Sequence, residues 1–168
     1  MNGRFYNLKG DLRINESLAK HTSWRVGGFA QQFYRPANVE DLAVFLAQLP
    51  KEEPVLWLGL GSNLLVRDGG VSGVVVSVVG LLNELKKINE TDIFIGAGVS
   101  CVKVAHFSAK HGLEGIEFLA GIPGTIGGAL AMNAGAYGGE IWSYIKEVET
   151  INREGARKFF GKNEFEIN

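Results

Sequence analysis

A glycine-rich segment constrains this chain more than any other part of its sequence. Residues 121–138 combine many glycines with small apolar side chains and contain no charged residue. Because glycine lacks a Cβ, it reaches backbone angles closed to other residues and lets main-chain N–H groups approach a ligand directly. Two shorter glycine turns, Gly59–Asn63 and Gly96–Gly98, each follow an apolar run. The three turns together favour a large dinucleotide held by the main chain.

Charge and hydropathy exclude several classes of partner. The 168 residues include 17 Lys and Arg against 18 Asp and Glu, and the two signs are scattered without a basic stripe, so we expect no nucleic-acid partner. Apolar residues make up 46% of the chain, yet no apolar run approaches the roughly 20 residues of a membrane helix. The N-terminus also lacks the apolar region of a secretory signal. We therefore expect a cytoplasmic protein that binds no membrane.

The cysteine and histidine positions predict that the chain holds no metal ion. Cys101 is the only cysteine, which excludes an internal disulfide or a cysteine zinc site and suits a reducing compartment. We interpret it as a small buried hydrophobe within a helix rather than as a reactive thiol. His106 and His111 are five residues apart, so they do not share one helical face as the histidine pair of a metal-binding helix would.

Apolar periodicity and capping residues predict an α+β chain with two lobes. Helices are expected after the N-caps Asn38, Ser100 and Thr125, and no regular element is expected before Thr22. Predicted strands cover 31–35, 55–58, 64–66 and 74–79, and predicted hairpins cover 84–95 and 145–160. The chain ends at 165–168 within an apolar–polar alternation, and from this we expect the polypeptide to continue.

Two common phosphate-binding motifs are absent from the sequence. A P-loop requires Gly-Lys-Ser/Thr, but the single Gly-Lys pair, Gly161-Lys162, is followed by Asn163. The Rossmann fingerprint requires a third glycine, but Leu64 and Cys101 stand at the two corresponding positions. Neither triphosphate hydrolysis nor the classical nicotinamide fold is supported.

The Gly59–Asn63 turn suits a pyrophosphate. Its amides can converge on an anion as a backbone nest, and Ser62 and Asn63 can add side-chain hydrogen bonds. It contains no lysine to contact a γ-phosphate, so a bound dinucleotide is favoured over a hydrolysed triphosphate. Taken alone, the turn is also compatible with a simple tight connection.

In the segment Gly121–Gly128, Pro123 fixes a turn and Thr125 caps a short helix. Helix N-termini favour negative charge, so the first amides of this helix are candidates for the flavin edge that becomes negative on reduction. The alternative is close packing of a glycine-rich helix against a sheet. Tyr137, flanked by glycines, either projects into a cleft or packs on the surface.

At these residues the chain resembles the UDP-N-acetylenolpyruvoylglucosamine reductases, flavoenzymes of peptidoglycan precursor synthesis. The resemblance rests on a series of segments that follow the family's order and spacing. They are His21–Gly28, Leu58–Asp68, Gly96–Gly98, Gly112–Gly128 and Met132–Gly138.

The resemblance implies a fold and a set of site residues. The fold is the two-lobed FAD-binding fold of the vanillyl-alcohol oxidase (PCMH) type, with 1–21 as an N-terminal extension, 22–82 as the first lobe and 83–168 as the second. A third, substrate-binding domain has no counterpart in the chain. The implied cofactor-binding residues are Gly59, Leu60, Gly61, Ser62, Asn63 and Leu64 at the pyrophosphate, with Ala97, Gly121, Ile122, Pro123, Gly124, Thr125, Gly127 and Gly128 beside the flavin. Tyr137 is implied to lie near the substrate.

The resemblance also implies a reaction. In the family, NADPH reduces FAD, and reduced FAD passes hydride to the enolpyruvyl double bond of a UDP-sugar while a serine protonates the carbanionic centre. The family's catalytic arginine, serine and late glutamate have no counterpart here. We therefore expect no catalytic residue in these 168 residues and no turnover by them alone.

Two other interpretations stay open at this stage. The chain could belong to another FAD-dependent oxidoreductase of the same fold that acts on a different substrate. It could also be a noncatalytic nucleotide-binding module. The sequence leaves the oligomeric state undetermined.

Overall fold

A computed structural model describes residues 5–167 and divides the chain into two compact units. Of the described residues, 5–81 and 149–158 form the first unit, and 82–148 and 159–167 form the second. The chain therefore returns to the first unit after building most of the second.

The first unit is a four-stranded sheet with one helix. Its strands are β1 (Asp11–Ser17), β2 (Phe29–Arg35), β3 (Val55–Leu58) and β4 (Val71–Ser77), and helix α1 (Val39–Gln48) connects β2 to β3. The spatial order is β1-β2-β4-β3. The edge strand β1 runs antiparallel to β2, whereas β2 and β3 each run parallel to β4.

The central strand β4 is buried on both faces, which explains its three consecutive valines. Val74 and Val76 pack with Tyr34 and helix α1 on one face, and Val75 packs with Phe33 and Leu58 on the other. All three valines are fully buried. The two faces of one sheet thus support two separate cores.

Helix α1 begins where the sequence predicts. The Asn38 side chain accepts a hydrogen bond from the Asp41 amide at 2.8 Å, as an N-cap does. The Asp41 carboxylate accepts further hydrogen bonds from the amides of Lys9 and Ala37 and from the Tyr34 hydroxyl. The helix start is thereby joined to the N-terminal segment and to β2.

The second unit is built from short elements around one core. They are β5 (Leu85–Lys87), β6 (Ile93–Ile95), α2 (Cys101–Lys110), α3 (Ile126–Ala131), β7 (Gly135–Ala136) and β8 (Gly139–Glu140). Strands β5 and β6 form the predicted antiparallel hairpin. The predicted caps are confirmed, because Ser100 and Thr125 accept hydrogen bonds from the amides of Lys103 and Gly128.

The last hairpin is formed by β9 (Glu147–Ile151) and β10 (Arg157–Gly161). Its tip belongs to the first unit. There the Arg153 guanidinium donates to the carbonyl groups of Lys51 and Glu53 in the loop after α1.

Two secondary-structure predictions are wrong. Strand β1 was not predicted because four of its seven residues are exposed and three are charged, which is typical of an edge strand. Residues 64–66 were predicted as a strand but form none. Val66 is buried against Gly27, and the next carbonyl, that of Arg67, accepts from the amides of Gly28 and Gly70 in a turn. Val66 is therefore buried although it does not pair with a neighbouring strand.

Within residues 5–167, none of the helices has the length and apolar character needed to cross a bilayer.

Candidate functional site

The predicted pyrophosphate turn lies at the carboxyl end of β3, beside the parallel strand β4. Carboxyl ends of parallel strands are the usual edge for ligand binding in open sheets. Within the described part of the chain, none of the amides of residues 60–64 donates to a protein acceptor. A run of free N–H groups in one turn has the chemistry of an anion nest.

At Gly61 the missing side chain lets another segment of the same chain, His21–Ser23, approach the turn closely. Gly61 has a φ of +66°, and a Cβ there would lie 2.1 Å from the carbonyl oxygen of His21. The Ser23 amide donates to the Gly61 carbonyl at 3.1 Å. Gly61 therefore fastens the His21–Ser23 segment to the turn, and this fastening fixes the direction of the free amides.

A cationic cleft of about 540 Å³ opens beside this turn in the first unit. Gly59 and Leu60 form part of its wall. The cationic side chains in its lining are Arg13, Lys20, Arg25 and Arg35, and none of the described residues that line it is acidic. These four cations were not predicted from the sequence. Alternation along β2 was the available signal, because Arg35 lies two residues after the buried Phe33 and so projects from the same face.

One buried carboxylate organises part of this cleft. Glu16 is 9% exposed, and its Oε1 lies 2.9 Å from His21 Nε2 and 3.2 Å from an Arg13 guanidinium nitrogen. Lys20 Nζ lies 3.8 Å from the same oxygen. The hydrogen bond with His21, helped by the two cations, lowers the pKa of the Glu16 carboxyl despite its desolvation.

In the second unit, the structure brings together the predicted flavin-side residues. The Gly127 amide donates to the Ala97 carbonyl at 2.9 Å, and the Ile126 amide donates to the Val99 carbonyl at 2.9 Å. A Cβ on Gly127 would lie 3.0 Å from the Cβ of Ala97. Gly96–Gly98 and Gly121–Gly128 thus form one surface, on which Gly121, Pro123 and Gly128 are exposed while Gly124 and Ile122 are partly buried.

The first amides of α3 are engaged within the unit. Ile126 and Gly127 donate to backbone carbonyls, and Gly128 donates to the Thr125 hydroxyl at 3.3 Å. These three N–H groups are therefore not free donors for a flavin. The glycines here permit close packing of α3 against the Ala97 turn, whereas the alternative stated from the sequence was packing against a sheet.

Tyr137 stands on the second unit with its side chain in solvent. It is 92% exposed and has a φ of +52°, an uncommon conformation for a bulky residue. A Cβ on Gly121 would lie 2.8 Å from its ring. Tyr137 also lines a shallow cleft of about 490 Å³ with Phe118 and Tyr144. Its predicted place near a substrate stays a prediction.

Cys101 is fully buried at the start of α2, and burial raises the pKa of its thiol to about 11. A thiol in that state is a packing residue rather than a nucleophile. Among residues 5–167, His, Cys, Asp and Glu side chains form no group of three or more that could hold a metal ion.

Comparison with known proteins gives one family and a consistent set of relatives. A family model described as FAD binding domain matches residues 30–159. The UDP-N-acetylenolpyruvoylglucosamine reductase of Nitrosococcus oceani is 59% identical over 149 residues, which are 89% of this chain and 50% of the relative. The protein of the same name from Legionella pneumophila is 55% identical over 159 residues, covering 95% of this chain and 52% of its own length.

A solved structure shows the same fold. The UDP-N-acetylenolpyruvylglucosamine reductase (MurB) of Thermus caldophilus is 32% identical, with a TM-score of 0.73, over 94% of this chain and 54% of that one. The chain spans about half the length of the curated relatives it matches. The predicted α+β fold of the FAD-binding type is confirmed.

Proposed function

The chain belongs to the FAD-binding domain family, and from this membership we propose that it is the FAD-binding portion of a reductase that acts on UDP-N-acetylglucosamine enolpyruvate. The relatives that match almost all of the chain carry the name of that reductase. The reaction belongs to peptidoglycan precursor synthesis and yields UDP-N-acetylmuramate.

The free amides of residues 60–64 beside a cationic cleft carry this proposal. A diphosphate needs several donors and positive charge within one concave site, and the first unit provides both. Gly59, Leu60, Gly61, Ser62, Asn63 and Leu64 are the residues proposed to hold it.

On the second unit, the surface that joins Ala97 to Gly121–Gly128 is proposed to face the flavin ring. Its exposed glycines, Gly121 and Gly128, present backbone without side chains, and the hydrogen bonds from α3 to Ala97 and Val99 support that surface. FAD, when bound, supplies the hydride-carrying chemistry. The residues of this chain bind and orient the cofactor, and none is proposed as a catalytic residue.

The reductant, substrate and location are part of the same proposal. NADPH is proposed as the hydride source and a UDP-sugar as the small-molecule partner, with Tyr137 near the substrate. The reaction is placed in the cytoplasm, in keeping with a single reduced and buried cysteine, Cys101.

A chimera tests this function. The 168 residues replace the matching half of the Nitrosococcus oceani reductase, and NADPH oxidation is followed with UDP-N-acetylglucosamine enolpyruvate. We expect turnover that requires FAD, and no turnover by the 168 residues alone. A chimera that folds and binds FAD but does not reduce this substrate would refute the assignment, and the parent reductase serves as the positive control.

A further inference from the structure

The cations that line the cleft of the first unit are only partly balanced by neighbouring carboxylates. Arg13 is neutralised, because its guanidinium contacts Asp11 at 2.6 Å and Glu16 at 3.2 Å. Lys20 has only the longer contact to Glu16, at 3.8 Å. Arg35 donates to the Val79 carbonyl and has no carboxylate partner within residues 5–167. Unbalanced cations in a concave site attract anions.

Arg25 is held in the cleft by a strained turn. Its φ of +55° lies in the left-handed region, and its amide donates to the Thr22 carbonyl at 3.2 Å. No carboxylate of the described residues pairs with its guanidinium. Left-handed backbone at a residue other than glycine persists only where the surroundings enforce it, and such positions cluster at ligand clamps.

The turn that presents Arg25 is joined directly to the turn with free amides. Ser23, two residues before Arg25, donates its amide to the Gly61 carbonyl. Guanidinium groups and free N–H groups therefore border one cleft, which Gly59 and Leu60 also line. Guanidinium is the side chain best suited to bidentate contact with phosphate oxygens.

We propose that Arg25 and Arg35 are side-chain ligands of the dinucleotide diphosphate. This inference rests on the proposed function for the identity of the ligand as FAD. It adds to that function a binding role for side-chain cations, where the sequence indicated the main chain of the glycine turn.

Binding measurements on the whole chain test the two ligands. FAD affinity is measured by the change in flavin fluorescence at several NaCl concentrations for wild type, Arg25→Gln, Arg35→Gln and the double variant. Each single change is expected to weaken FAD binding about tenfold, the loss of one charge-assisted contact, and to flatten its salt dependence. Riboflavin, which has no phosphate, is expected to bind all four proteins equally.

The matched control is Lys51→Gln with Lys110→Gln, which removes two positive charges outside the cleft. Circular dichroism confirms that each protein is folded. A double arginine variant that binds FAD with wild-type affinity and wild-type salt dependence would overturn the inference and leave the proposed function intact.

Inorganic pyrophosphate separates the inference from the proposed function. If the wild type binds pyrophosphate but no FAD, and the arginine variants do not bind pyrophosphate, the anion site is confirmed and the flavin function is refuted. If the wild type binds neither, both are overturned.

Discussion

Gly61 is one of the residues at which the backbone of the first unit leaves least room for a side chain. Any side chain there meets both a left-handed φ of +66° and the His21 carbonyl at 2.1 Å. We expect Gly61→Ala to destabilise the protein by about 3 kcal/mol or more, from strain and overlap together. Urea unfolding measures this.

Gly69→Ala is the matched control, because a Cβ at Gly69 would have no neighbour within 4 Å. It should change the free energy of unfolding by less than about 0.5 kcal/mol. Equal effects of the two substitutions would show that the packing of Gly61 on His21 is not formed.

Asp41 makes the free energy of unfolding depend on pH in the acid range. Desolvation would raise the pKa of this carboxyl, but hydrogen bonds from the Lys9 amide, the Tyr34 hydroxyl and the Ala37 amide outweigh it and lower the pKa. The folded pKa lies below the unfolded value of about 3.9. The stabilisation is therefore complete well above pH 4 and is lost as pH falls through the folded value.

Asp41→Asn should cost about 2–3 kcal/mol at neutral pH, since an amide cannot accept all three bonds as a charged acceptor does. Urea unfolding at pH 7 and at pH 3 should show the difference from wild type shrinking at the lower pH. Glu40→Gln, an exposed neighbour in the same helical turn, is the control. A difference that stays constant across this range would contradict the account.

Among single residues, the sequence predicted caps better than it predicted the cationic cleft. Asn38, Ser100 and Thr125 all cap as expected, because an N-cap depends only on residues within one helical turn. Arg13 and Arg35 reach one cleft only after β1 pairs with β2, and that pairing is not local.

At the scale of elements, α3 depends on its cap more than a longer helix would. It has six residues, and two of them are glycines. Thr125→Ala removes the hydrogen bond to the Gly128 amide and should cost about 1 kcal/mol. Thermal or urea unfolding measures the loss.

Thr125→Ser keeps the hydroxyl and removes only the buried methyl group. It should recover most of the stability lost in Thr125→Ala. If serine and alanine are equally destabilising, the methyl group and not the cap holds the start of α3.

The two errors in element prediction have opposite physical causes. Strand β1 is an exposed edge strand whose polar residues hide its alternation. Residues 64–66 have the apolar character of a buried strand, but they pair with no strand. The carbonyl of the next residue, Arg67, instead accepts turn hydrogen bonds from the amides of Gly28 and Gly70. Hydropathy reports burial, whereas a strand also needs a pairing partner.

At the scale of the whole molecule, the sequence predicted the family and fold correctly. The glycine segments lie where they pack on neighbouring backbone, so their pattern is specific to one architecture. The same close packing limits what could be inferred about ligand contacts. The amides of Ile126 and Gly127 donate to backbone carbonyls of the protein, whereas those of residues 60–64 donate to no acceptor among the described residues.

Retention of FAD by the purified chain shows whether the glycine turn and the cationic cleft hold the cofactor. The protein is mixed with excess FAD and passed over a size-exclusion column, and the visible flavin absorption that elutes with the protein is compared with its concentration. We expect one FAD per chain, displaced by excess ADP, which shares its diphosphate. Folded protein that elutes without flavin, and that shows no change in flavin fluorescence at any FAD concentration tested, would contradict this expectation.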